Sequence, residues 1–102
     1  MELADAMSLV LSEGLSFDGM VIQARGGQDP GRQRVRDVIA AMQSICDALQ
    51  GEPHIDRQLA NAAYALAVHL PASIEQWNKS CVWTDDFIEL MEQIERLFDG
   101  TY

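Results

Sequence analysis

Apolar residues recur along this chain at steps of three and four, the spacing that lays a stripe along one side of an α-helix. No segment shows the strict alternation of β-branched residues that marks a strand, and no two segments repeat one another. The first stretch places Leu3, Met7, Val10, Gly14, Phe17, Val21 and Ala24 in a heptad-like seam. The seam predicts one long helix over 2–25, bent at Gly14 and ended by Gly26-Gly27, with two helices and a Ser16 cap as the alternative. The single helix is the preferred reading because the register survives both Gly14 and Gly19, although each glycine costs up to about 1 kcal/mol in a helix interior.

The second helix is the clearest. Asp29 suits the N-cap, Pro30 the first helical position, and Gly51 the left-handed conformation beyond the end. Between them Val35, Val38, Ile39, Met42, Ile45, Cys46 and Leu49 form one apolar stripe, which predicts a helix over 30–50. A third helix over 57–70 follows Asp56 and is apolar around most of its girth, with only Gln58, Asn61, Ala65 and His69 as a narrow polar or small strip. Such a helix packs on more than one side. Pro71 lacks the amide hydrogen an interior position needs, so a bend or restart is expected there. Ser73 with Gln76 resembles a capping box for a short helix over 74–80. The last helix is expected over 85–99, with Phe87, Leu90, Met91, Ile94, Leu97 and Phe98 inward and Asp85, Glu89, Glu92 and Asp99 outward. Four principal helices on short connections predict an all-α, single-domain antiparallel bundle spanning 1–102.

Charge changes this picture. The 102 residues include 16 acids against 7 Lys and Arg, a net charge of −9, which disfavours direct binding to nucleic acid or to an anionic membrane. The longest uncharged stretch, Gln58 to Ile74, is too short and polar to span a bilayer, and the start has no basic leader. A cytoplasmic protein, of bacterial type, is the expectation. The charge is uneven: residues 1–24 have four acids and no base, whereas Arg25, Arg32, Arg34 and Arg36 crowd into residues 25–36 with Asp29 as the one acid. Arginines at a helix N-terminus oppose the helix dipole and require a negative partner. One reading is a small anion or nucleotide held by Arg25, Arg32, Arg34 and Arg36 beside the glycines. The other is pairing with the protein's own acidic first and last helices, with Arg34 also reaching Asp37 within its helix.

Recognised chemistry is sparse. His54 and His69 stand on different elements without metal-ligand spacing, no E-x-x-H pair occurs, and Gly14-Leu15-Ser16-Phe17-Asp18 lacks the second glycine of a nucleophile elbow. Cys46 falls on an apolar face and Cys81 beside Lys79; neither belongs to a C-x-x-C. No metal, no cofactor and no enzymatic activity are therefore expected. The run Thr84-Asp85-Asp86-Phe87-Ile88-Glu89-Leu90 resembles the helix after the carrier serine of acyl carrier proteins, but Thr84 stands where that serine belongs. Ala67-Val68-His69-Leu70 resembles the histidine helix of phosphotransfer domains, with Pro71 and Ala72 departing from that pattern. Each resemblance covers under a quarter of the chain and carries no function over.

The leading expectation is an acidic module that binds, and inhibits, a protein with a basic surface, in the manner of immunity proteins, anti-activators or phage-borne inhibitors. Asp85, Glu89, Glu92 and Glu95 would steer the partner, and Trp77 or Trp83 would anchor it. An anion sensor is the second expectation. A structural subunit or secretion chaperone, including a homodimer through the heptad seam of the first helix, is the third.

Overall fold

A computed structural model describes residues 2–75 and 84–99. Helix α1 spans Leu3–Leu15, α2 Met20–Arg25, α3 Arg32–Ala48, α4 Arg57–Tyr64, α5 Leu70–Glu75 and α6 Thr84–Asp99. A π turn, Ala65–His69, joins α4 to α5, so 57–75 is one continuous helical rod. The described residues contain no strand, and the helices form an all-α bundle, as the spacing predicts. No described helix is long and apolar enough to cross a membrane.

Helix α3 is central, packing against both α1 and α6, while α1 also lies against α4. The predicted α3 stripe is buried almost in full: Val35, Val38, Ile39, Met42, Ile45 and Cys46 join Leu59, Leu66, Leu70, Leu90, Ile94 and Leu97 in one core. Asp56 caps α4 by accepting from the amides of Gln58 and Leu59, and Gly51 takes the left-handed conformation expected of it. Gly31, not Asp29, is the N-cap of α3; the Asp29 carboxylate instead accepts the Gly31 amide across the preceding turn.

The predicted helix over 2–25 is two helices. It breaks at Ser16–Gly19, and the cap of α2 is Gly19. The seam counted Phe17 as an inward position, but the chain leaves helical geometry there and Phe17 is 92% exposed. The break follows from close packing. A Cβ on Gly19 would lie 2.3 Å from the Ser12 carbonyl oxygen, so only glycine lets the turn fold back onto α1. Gly14, by contrast, stays helical and is buried: its missing Cβ would meet Ala62 atoms at 2.8–2.9 Å, which is how closely α1 approaches α4.

Pro71 does not end its helix. It occupies the first turn of α5, where a proline needs no amide hydrogen, because the wide π turn comes before it. Ser73 lies inside α5, its hydroxyl donating to the His69 carbonyl, and so does not start a new helix. The remainder of the predicted 74–80 helix lies outside the described residues. On α6 the inward face is Leu90, Ile94 and Leu97, with Phe87 and Met91 half-buried; Phe98, expected inside, is 51% exposed.

Candidate functional site

The two features the sequence singles out lie on adjacent helices, α3 and α6. In α3 the four-residue step from Arg32 to Arg36 puts both on one face, and Arg34, two residues from each, points roughly 160° away. The arginines therefore diverge. Arg32 Nε donates to Asp86 Oδ2 at 2.8 Å and Arg36 Nη1 to Asp86 Oδ1 at 3.4 Å, so both carboxylate oxygens of Asp86 are occupied by α3. Asp86 itself is buried, while the two arginine side chains remain more than half exposed.

Arg34 turns toward α1 and α2. Its Nε donates to Glu13 Oε2 at 2.8 Å, its Nη2 to Glu13 Oε1, its Nη1 to Gln23 Oε1 at 2.6 Å, and Nη2 also to the Asp18 carbonyl at 3.3 Å. Glu13 is only 6% exposed and additionally accepts the Met20 amide at 3.2 Å, the first amide of α2. The bidentate bond to Glu13 pushes the Arg34 pKa above its ordinary value, against the opposing effect of burial. Arg25 ends α2, is exposed and makes no ion pair within 4 Å among the described residues. Asp37 accepts from Gln33 rather than from Arg34.

Apart from the buried Asp86, helix α6 keeps its acids at the surface. Asp85, Glu92 and Glu95 are exposed, Glu89 is half-buried, and none of the four makes an ion pair among the described residues. Asp85, Ile88, Glu92, Glu95 and Asp99 follow one another at three- and four-residue steps, an outer stripe of four carboxylates around a 54%-exposed isoleucine. Asp85, Ile88, Glu89, Glu92 and Gln93 line a shallow concavity of about 360 Å³. A second crevice, about 290 Å³, lies between α3 and α6 where Glu89 faces Arg36, Asp37, Ala40 and Gln43. Trp77 and Trp83, the expected anchors, lie outside the described residues, as does Cys81.

Other chemistry-bearing groups stand apart. Cys46 is buried, its thiol 3.4 Å from the Gln93 carbonyl, and burial pushes its pKa up, with Asp47 raising it further and Arg96 pulling it down. His69 meets the Tyr64 ring edge-on at 5.7 Å, and His54 is exposed in the connection before α4. No three His, Cys, Asp or Glu residues converge as metal ligands among the described residues.

Glu13 and Asp86 are the charged residues that sequence reasoning overlooked. A signal existed for both. Asp86 is in helical register with Leu90, Ile94 and Leu97, and Glu13 with Ala6 and Val10, so each carboxylate sits where the stripe demands an apolar residue. A buried acid needs a cation, and the pairing of the α3 arginines with the acidic first and last helices, one of the two readings of the sequence, is what the ion pairs show. No protein-family model matches the chain, and neither a curated protein nor a solved structure matches it.

Proposed function

We propose that the protein is a non-enzymatic binding module that takes a protein partner with a basic surface onto α6 and inhibits it by occupying that surface. The observation that carries this reading is the outer face of α6: Asp85, Glu92 and Glu95 are exposed along one helix with Glu89 half-buried beside them, and none of the four forms an ion pair within 4 Å among the described residues. Arg32, Arg34, Arg36 and Arg96 are paired instead with Asp86, Glu13 and Asp47. Uncompensated carboxylates in a row speed the approach of a cationic surface and repel acidic competitors. Ile88 adds an apolar contact inside the acidic rim, and Trp77 or Trp83 would supply the anchor. Immunity proteins, anti-activators and phage-borne inhibitors are roles of this kind.

The arginine-rich stretch supports the anion-sensor reading less well. A phosphate at Arg32, Arg34 or Arg36 would have to displace a carboxylate of the chain's own, and the three side chains do not converge on one point.

The test is kinetic. With the partner identified by cross-linking and purified, association is followed by stopped flow over a series of salt concentrations. Reversing Glu89→Lys together with Glu92→Lys should slow association at low salt by roughly tenfold or more and flatten its salt dependence. Association rates equal to wild type at every salt concentration would overturn the proposal.

A further inference from the structure

A second feature stands apart from α6, at the turn between α1 and α2. Phe17 stands at its tip, 92% exposed, next to Leu15 at 47% and the exposed carboxylate of Asp18. Single exposed apolar residues are ordinary on a protein surface, and exposure alone would mean nothing. What sets Phe17 apart is how firmly the turn beneath it is fixed. The Asp18 carbonyl accepts from Gln23 Nε2 at 3.1 Å and from Arg34 Nη2 at 3.3 Å, and the Gly19 amide donates to the Ser16 carbonyl at 3.0 Å. Glu13 accepts the Met20 amide just beyond the turn, and Gly19 is pressed so closely onto Ser12 and Glu13 that no other residue fits. A buried carboxylate, an arginine and a glycine without alternative thus converge on four residues whose largest side chain touches the solvent.

We propose that Phe17 is a preorganised anchor that inserts into an apolar pocket of a partner protein, and that the pocket is rimmed by Lys or Arg. Preorganisation is the physical point. An aromatic side chain on a mobile loop loses binding free energy to ordering, whereas one on a pinned turn does not, and aromatic anchors of this sort dominate interface energetics. The basic rim follows from charge: the Asp18 carboxylate is exposed beside the ring, and Arg34, whose guanidinium is held by Glu13, offsets it only in part. Arg34 points roughly 160° around α3 from the arginines that meet α6, so the Phe17 turn and α6 lie on different sides of α3.

The test uses the full chain with photoreactive benzoylphenylalanine at position 17, irradiated in an extract of the producing cell. Unlabelled competitors are the wild type, Phe17→Ala, Asp18→Lys and the Glu89→Lys/Glu92→Lys double variant. One protein should be cross-linked at a peptide combining apolar residues with Lys or Arg. Wild type should abolish the adduct. Phe17→Ala, whose melting temperature should equal that of wild type because the ring packs on nothing, should compete at least tenfold more weakly, and Asp18→Lys more weakly than wild type. Equal competition by Phe17→Ala would overturn the anchor, as would an adduct only with a second copy of this chain, only with lipid, or with no protein at all. Loss of competition by the α6 double variant alone, with Phe17→Ala still competing fully, would do the same while leaving the α6 reading intact.

Discussion

Arg34 donates four hydrogen bonds, to Glu13, Gln23 and the Asp18 carbonyl, and the penalty for losing it is set by what it leaves behind. Removing the guanidinium strands the Glu13 carboxylate, 6% exposed, with one amide as its remaining partner. Breaking a fully buried pair costs about 3–5 kcal/mol. Arg34 keeps a third of its side chain in solvent, so Arg34→Ala should cost somewhat less, about 2–3 kcal/mol by urea denaturation. Arg34→Lys should recover little, because an ammonium cannot grip both Glu13 oxygens and also reach Gln23 and Asp18. Arg32→Ala should cost under about 1 kcal/mol, since Arg32 is mostly exposed and Arg36 stays on Asp86. Cys46 gives a pH-dependent counterpart. Its thiol pKa is raised by burial, so the stability held by the neutral thiol is full below the pKa of an unfolded cysteine and is lost as pH rises toward the folded value. In a Cys81→Ser background, melting temperature should therefore decline above about pH 8.5, and Cys46→Ala should remove that part of the decline. Alkylation of Cys46 at neutral pH should be slow until denaturant is added.

At the scale of elements, the approach of α1 to α4 rests on one missing methyl group. Gly14→Ala gains helix propensity of about 1 kcal/mol but meets the Ala62 carbonyl oxygen and Cα, backbone atoms that cannot swing aside. Overpacking of this kind costs about 1–3 kcal/mol, so the variant should be less stable by urea denaturation despite its better helix former. An increase in stability would mean that α4 gives way. How far such elements can be read from sequence depends on where their determinants lie. Helices α3 and α6 are legible because stripe and length agree within one short segment. The break between α1 and α2 is not: the seam runs through it in register, and the reason for it, Gly19 seated on Ser12 and Glu13 carbonyls, exists only once the chain has folded back. At Pro71 the expected restart is present, α5 beginning at Leu70, but the π turn that keeps the rod continuous across it has no signature in the spacing. For the candidate site, the outward acids of α6 follow from the periodicity alone. The division of the arginines between Glu13 and Asp86 does not, because it requires knowing which helices flank α3.

Across the whole molecule, charge and packing pull in opposite directions. Three carboxylates, Glu13, Asp86 and Asp47, meet arginines, while most of the remaining acids are exposed and repel one another across a chain of net charge −9. Salt weakens the exposed repulsion more than it weakens the Glu13 and Asp86 pairs, whose carboxylates are buried. The melting temperature should accordingly rise between roughly 10 and 200 mM sodium chloride, and a fall would show that ion pairs outweigh repulsion. The reach of the α3 arginines has a further consequence, for the order of events in folding. Arg34 finds Glu13 across 21 residues, and Arg32 and Arg36 find Asp86 across 54 and 50. Closing the longer loops costs about 0.8 kcal/mol more entropy than closing the shorter, and a single ion pair repays little of that before the apolar stripes have met. These bonds are latecomers: Arg34→Ala should leave the refolding limb of a chevron plot nearly unmoved and raise the unfolding limb to faster rates, so that α3 latches a bundle already assembled around it.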